Sequence, residues 1–313
     1  MGIMGFEFKR RESVRQALKR CGQKRSEQAS RTLADCARTE AVHEVRKNIK
    51  QLRALLRLVR SAMKQSDYKG CSELLREAAG CLAAARDTHV TLSALDGLAG
   101  QLESQVSPPS FRVLKNTLAT DCHRRQAELC RAHVPEKVDC LLRKFSRELA
   151  SVELKHSGWR AIGPGLHRSY REGRQGYDLA RRSETPRHFH QWRKRAKDLF
   201  YQIGLLRRIW PEQMCAAQAE LEQLTEYLGN DHDLFLLTEA SSLKRFRKKA
   251  GPAAAALQAL VDARQRELRA QALTLGAKFY EEKASKFCKR LRQYWRKWRR
   301  ETRVLVGRPG VAS

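Results

Sequence analysis

The sequence predicts an all-α protein made of two related, antiparallel four-helix bundles. Three observations carry that reading. Only eight prolines and 18 glycines punctuate 313 residues, and most of them fall between long periodic stretches. Within those stretches apolar residues recur every three or four positions, the period of a helix that buries one face. A shift of 147 residues lays one basic, periodic stretch on another, as an internal duplication would.

In chain order, helices are expected over 8–36, 40–64, 68–98, 109–154, 166–182, 186–208, 211–248 and 253–300. Pro108-Pro109 opens the fourth. Val134-Pro135 should kink it, because proline lacks an N–H and its ring crowds the preceding turn. Gly158, Gly163, Pro164 and Gly165 make His156–Gly165 a spacer at the midpoint. Thr185-Pro186 reads as an N-cap followed by proline at the first helical position. Gly251-Pro252 separates the last two helices.

The stretches on either side of the spacer correspond. His43 falls on His190, Arg46 on Arg193, Lys47 on Lys194, Lys50 on Lys197 and Leu52 on Leu199. Near each half's end, a shift of 146 puts Glu136-Lys137 on Glu282-Lys283 and Lys144 on Arg290. Residues 1–157 and 158–313 are therefore expected to be two four-helix halves of one unit.

Charge narrows the function. Lys and Arg number 63 against 34 Asp and Glu, a formal net charge of +29. Self-repulsion on that scale costs stability, so an acidic partner is expected: nucleic acid, an anionic membrane surface or polyphosphate. Nine cysteines, an odd number with no C-x-x-C, read as reduced core residues. No apolar run approaches the ~18 residues of a membrane span, and the opening residues lack the apolar run of a secretory signal. The expected compartment is the cytoplasm.

The distribution of the charge says more. Val42, Val45, Ile49, Leu52, Leu56 and Val59 form one apolar face. His43, Arg46, Lys50, Arg53, Arg57 and Arg60 step in the same way one residue later, about 100° around the helix. The basic stripe thus flanks the buried face and can line a groove, which a solvated stripe on the far side could not. The sixth helix repeats the design. Phe189, Trp192, Ala196, Leu199 and Ile203 are flanked by His190, Arg193, Lys197 and Tyr201, with Lys194 beside them. Arg171 and Arg174 in the fifth helix and Arg290 in the last belong to similar stripes. Arg forks and Lys ammonium groups suit phosphate, and helical spacing repeats them about every 5 Å. His43 and His190 stand near helix starts, where free N–H groups favour anions.

Catalysis finds little support. Glu40-x-x-His43 has the spacing of a di-iron helix, but Arg187 stands where the second copy needs its Glu. Asn230-Asp231-His232-Asp233 occupies one helix turn with no second cluster, and a polar helix face or an internal salt link explains it better. There is no G-x-x-x-x-G-K-[ST] loop, no carboxylate cluster for Mg²⁺ and no Ser or Cys nucleophile with a base. No metal, cofactor or catalytic residue is therefore expected. Nucleic acid is the alternative ligand. Against it, Trp192, Trp210 and Trp298 lie on apolar stripes, and Trp295 alone sits among charges, in the run Arg292–Arg300.

The two signature stretches, Val42-His43-Glu44-Val45-Arg46-Lys47-x-x-Lys50-x-x-Arg53 and His190-Gln191-Trp192-Arg193-Lys194-Arg195-Ala196-Lys197, resemble the histidine helices of the CHAD family, the conserved histidine α-helical domain. Gly165–Arg174 resembles that family's mid-chain motif. The resemblance covers nearly the whole chain. It implies two four-helix bundles about a pseudo-twofold, a basic central channel, binding of inorganic polyphosphate and, in some members, location at polyphosphate granules. By motif it assigns binding roles to His43, Arg46, Lys47, Lys50 and Arg53, and to His190, Arg193, Lys194 and Lys197. Arg57, Arg171, Arg174 and Arg290 rest on periodicity. Tyr201 and Gly204 interrupt the second stripe, so a lopsided channel is expected.

Overall fold

A computed structural model describes residues 5–35, 38–104, 108–242 and 253–306. All regular structure among them is helical. The long helices are α1 (Val14–Leu33), α2 (Thr39–Val59), α3 (Gln65–Cys81), α4 (Ala83–Glu103), α5 (Pro108–Arg131), α6 (Val134–Ser151), α7 (Trp159–Arg182), α8 (Pro186–Leu205), α9 (Pro211–Ser241), α10 (Ala253–Phe279) and α11 (Ala284–Val306). Short 3₁₀ turns, Arg60–Ala62 and Arg207–Ile209, prolong α2 and α8. Gly251-Pro252 lies outside the described residues.

Local chemistry sets several starts. Ser13 caps α1 in a reciprocal pair: its Oγ accepts from Gln16 N at 3.1 Å, and Gln16 Oε1 accepts from Ser13 N at 2.7 Å. Thr185 caps α8, with Pro186 at its first position.

Four expectations change. The third predicted helix is two, parted at buried Leu82. No proline or special glycine marks that break. Instead α3 packs on α6 and α4 on α5 and α9, and one straight rod could not serve both. The fourth predicted helix breaks at Val134-Pro135 where a kink was expected: His133 adopts φ 50°, and Pro135 sits in the first turn of a new helix. The last predicted helix splits at Tyr280, where Tyr170 Oη shares its proton between the carbonyls of Phe279 (3.0 Å), at the helix end, and Glu282 (2.9 Å), in the turn that follows.

The remaining change concerns the expected spacer. Gly163, Pro164 and Gly165 lie inside α7, which starts at Trp159 after Gly158 at φ 54°. Gly165 is needed for contact, not for a turn: a Cβ there would stand 2.0 Å from the carbonyl oxygen of Leu58. α7 therefore rides directly on the end of α2.

The apolar residues form two clusters, and each draws on both halves of the chain. The larger joins α1, α2, α3 and α6 to α7, α8 and α11. The smaller unites Leu95 and Leu98 of α4, Phe111 and Leu114 of α5, Leu234 and Leu237 of α9, and Leu257 and Val261 of α10. Direct packing of α2 on α8 and of α4 on α9 links the halves. No helix of the described residues is long and apolar enough to cross a membrane.

Candidate anion-binding cleft

The predicted apolar stripes of α2 and α8 are core: Val45, Ile49, Leu52 and Leu56, and Phe189, Trp192, Ala196 and Leu199, are all buried. Gln202 Nε2 of α8 donates to Ala54 O of α2 at 3.1 Å in that interior. With these faces fixed, the stripes one residue later must turn toward each other at the seam. They line a cleft of about 660 Å³. Its walls are Arg46, Lys50, Arg53 and Arg57 from α2, and His190, Arg193, Lys194, Arg195, Lys197, Asp198 and Tyr201 from α8. Arg86 and Asp87 of α4 and His232 and Leu236 of α9 complete them.

Nine of these residues are Arg or Lys and two are Asp, so most of the charge must find other company. Arg57 pairs with Asp198 at 3.0 Å, and Arg195 with Glu172 at 3.1 Å. Arg86 lies 3.1 Å from Asp87 and 2.7 Å from Asp233. Arg46 Nη1 donates to Ala79 O at 2.6 Å. Lys197 Nζ donates to Thr225 Oγ1 at 3.2 Å and stands over the Phe200 ring. Lys50, Arg53, Arg193 and Lys194 have neither hydrogen-bond nor ion-pair partner among the described residues.

Crowding of like charge out of water disfavours protonation. Burial, reinforced by Arg193, Arg86, Arg46 and Lys197, pushes the Lys50 amine down to about 7. Burial and Arg193 bring Lys197 to about 8. The His190 and His232 rings lie 4.1 Å apart between centroids. Burial first, then Lys194 and Arg193 for His190 and Arg193 for His232, push them down to about 4 and about 3. Both rings are neutral near pH 7, and His190 Nδ1 is buried with no partner. A phosphate nearby would raise a histidine; the protein's own groups do the opposite.

Of the residues singled out from sequence, Arg46, Lys50, Arg53, Arg57, His190, Arg193, Lys194 and Lys197 meet in this cleft. His43 is exposed outside its lining, with Lys50 and Arg86 among its charged neighbours. Lys47 turns to Glu44, 3.2 Å away. Arg171 is exposed on α7. Arg174 and Arg290 belong to another place, the α10–α11 corner. There Arg174 donates to Glu282 O at 3.5 Å, and Arg290 pairs with Glu282 at 2.7 Å. Their stripe carries Tyr170, which is core and stacks on Phe287.

Sequence reasoning missed Arg86, Asp87, Arg195, Asp198, His232 and Leu236 as wall residues. For α4 and α9 the sequence offers one signal: Asp87 in the third predicted helix corresponds to Asp231 in the seventh. Tyr201, an uncharged member of the stripe, lines the wall while being 3% exposed. Of the two readings of the Asn230–Asp233 turn, the internal salt link is the one found: Asp231 holds Arg269 at 2.7 Å and Asp233 holds Arg86. Trp295 does not stand among solvated charges. It is 4% exposed and packs near Phe8, Trp159 and Trp298.

A larger groove, about 920 Å³, lies between α1 and α6. Three of its four cations are tied down, Lys19 to Ala150 O, Arg31 to Gln28 and Arg143 to Asp139, and Arg147 alone has no partner among the described residues. No group of His, Cys, Asp and Glu suited to a metal ion occurs among the described residues.

Comparison with known proteins agrees with this architecture. The family model described as CHAD domain matches residues 16–242. The crystal structure of the CHAD domain from the plant Ricinus communis superimposes with a TM-score of 0.63 at 14% identity, covering 90% of this chain and 96% of that one. PptA from Streptomyces chartreusis superimposes with a TM-score of 0.57, also at 14% identity, covering 87% of this chain and 100% of that one. At such identity these structures speak for the fold alone. A search among curated protein sequences gave no match.

Proposed function

The chain belongs to the CHAD-domain family, and we propose that within it this protein is a non-catalytic binder of inorganic polyphosphate, held in the cleft between α2 and α8. The observation that carries the reading is the set of four unpartnered cations, Lys50, Arg53, Arg193 and Lys194, on facing walls. Charges left uncompensated in a partly buried site cost stability. A polyanion threading the cleft would neutralise them, restore the protons missing from Lys50 and Lys197, and meet guanidinium forks on both sides.

Polyphosphate fits better than nucleic acid. Base stacking needs aromatic faces open to solvent, and the exposed large hydrophobics among the described residues are Val113 and Leu179, neither aromatic. In this reading the halves 1–157 and 158–313 would each supply one principal wall, as a duplicated unit would. The cytoplasm, at polyphosphate granules, is the corresponding location.

Calorimetric titration with long-chain polyphosphate tests the proposal. Sub-micromolar binding is expected, weakened at least ~10-fold, or ~1.4 kcal/mol, in the double variant Lys50→Ala/Lys197→Ala. Arg264→Ala/Arg266→Ala, on exposed α10 positions, should lose much less. Equal weakening in both variants would mean diffuse charge and return RNA as the favoured partner. Polyphosphate should also displace RNA at far lower phosphate equivalents than the reverse.

A further inference from the structure

We propose that Lys50 is an acylation site for acyl phosphates, docked by arginines of the same cleft, and that its acylation weakens polyphosphate binding. The second half rests on the proposed function; the first does not.

Amine acylation needs a free electron pair, an open approach and a held leaving group. Lys50 is half-buried on the cleft wall and has no hydrogen-bond or ion-pair partner among the described residues. Facing it are Arg46 from its own helix, Arg86 from α4, and Arg193 and Lys197 from α8. Asp87, the acidic group of the α4 wall, is engaged by Arg86. His232 from α9 adds no compensating negative charge. Lost hydration, reinforced by four cations, favours the neutral amine, and Lys50 sits near 7 as a result. A large share of it is therefore nucleophilic at neutral pH.

The other lysines nearby are less free. Lys47, one turn earlier, is paired with Glu44 at 3.2 Å. Lys197 is held by Thr225 and stacked over Phe200.

Arg193, which has no partner among the described residues, and Arg46, whose Nη1 alone is engaged, supply the donors that seat a phosphoryl group, while Arg86 is held by Asp87 and Asp233 and adds positive charge. With an acyl phosphate there, the Lys50 Nζ pair attacks the acyl carbon and a C–N bond forms. The bond from that carbon to the bridging oxygen breaks, phosphate departs with its electrons, and one amine proton passes to the phosphate. The products are an amide and inorganic phosphate. The amide can no longer become a cation, so the wall loses a charge that a polyanion would use. Polyphosphate in the cleft would in turn shield Lys50.

The test treats the full chain with acetyl phosphate near pH 7 and follows each lysine by peptide mass spectrometry. Lys50 should react at least ~10-fold faster than exposed Lys286 and Lys289, because its lowered basicity frees more amine than it costs in nucleophilicity. Inorganic phosphate should slow Lys50 selectively. An uncharged acylating ester should show less preference for it. Equal rates at Lys50, Lys286 and Lys289, or no competition by phosphate, would overturn the site. Lys50→Gln, a mimic of the amide, should bind polyphosphate ~10-fold more weakly, while Lys50→Arg should bind it and resist acylation. A Lys50→Gln affinity equal to wild type would overturn the weakening. If Lys50 is acylated selectively but unmodified protein fails to bind polyphosphate, the proposed function falls and the acylation site stands. If polyphosphate binds tightly but acylation is unselective, the acylation site falls and the proposed function stands.

Discussion

Arg86 of α4 and Asp233 of α9 meet at 2.7 Å and tie the two halves of the chain together on the cleft wall. The side chains are 10% and 26% exposed, so the bond is largely shielded from water. Asp233 offsets Arg86 from outside the lining, as Glu172 offsets Arg195. Asp233→Asn should cost about 1–3 kcal/mol, read as a lower urea midpoint. Because the variant keeps every cation of the cleft, its polyphosphate affinity should equal or exceed that of wild type, and saturating polyphosphate should recover part of the lost stability. A variant that loses stability and affinity together would show the pair to be scaffold alone.

Stability should depend on pH in an unusual direction near neutrality. Lys50 falls to about 7 and Lys197 to about 8 in the fold, from an ordinary 10.5. Between those values the unfolded chain holds more protons, so stability rises with pH. His190 at about 4 and His232 at about 3, from 6.5, act in the same sense on the acid side: stability is lost as pH falls from 6.5 through 4. The upper limit comes from thiols. Burial lifts Cys21 from 9.0 to about 11, and above 9 the unfolded chain sheds protons that the fold retains. Without added polyanion, the melting temperature should climb by a few degrees from pH 6 to 8.5, at roughly 1.5 °C per kcal/mol for a chain of this length. Polyphosphate affinity should move oppositely, falling as pH rises through 7 and 8, because charged Lys50 and Lys197 are the forms it binds. Calorimetry across this range, with and without polyphosphate, checks both signs.

The helices that build the cleft were legible because their information is local. Val45, Ile49 and Leu52 repeat at helical spacing, so the position of Lys50 beside them follows from geometry alone. What was illegible depends on partners distant in sequence. The break at Leu82 has no proline, and Gly80 before it stays helical; the break serves packing of α3 and α4 on different neighbours. Gly163, Pro164 and Gly165 carry the strongest breaker signal in the chain, yet they lie within a helix because Gly165 must touch Leu58. Arg86 and His232 look like ordinary surface positions until α4 and α9 are placed across the seam. Arg174 and Arg290 show the converse: a good stripe, on helices whose neighbour is Glu282 and not the cleft.

That difference can be measured. The Arg290–Glu282 pair is 40% and 31% exposed, and such pairs contribute at most about 1 kcal/mol. Arg290→Ala should therefore leave polyphosphate affinity within about twofold of wild type, a change under ~0.5 kcal/mol, and lower the melting temperature slightly. Arg193→Ala, on the cleft wall, should weaken binding by ~10-fold or more. Comparable losses in the two variants would extend the site to the α10–α11 corner.

The contact between α7 and α2 links the fold to the site most directly. A methyl group at Gly165 would sit 2.0 Å from Leu58 O and 2.8 Å from Arg57 O, both backbone atoms with no rotamer to escape through. The helices must separate, and overpacking of this kind costs about 1–3 kcal/mol. Gly165→Ala should thus lower the urea midpoint with little change in slope. The displaced end of α2 carries Arg57, whose partner Asp198 stands on α8 at 3.0 Å. Movement there widens the cleft at Arg53 and Arg57 while leaving Lys50, two turns earlier, in place. Polyphosphate affinity should therefore fall less in Gly165→Ala than in Lys50→Ala, even though Gly165→Ala is the less stable protein. The reverse order would mean that spacing of α2 from α8, and not the charge of Lys50, governs binding.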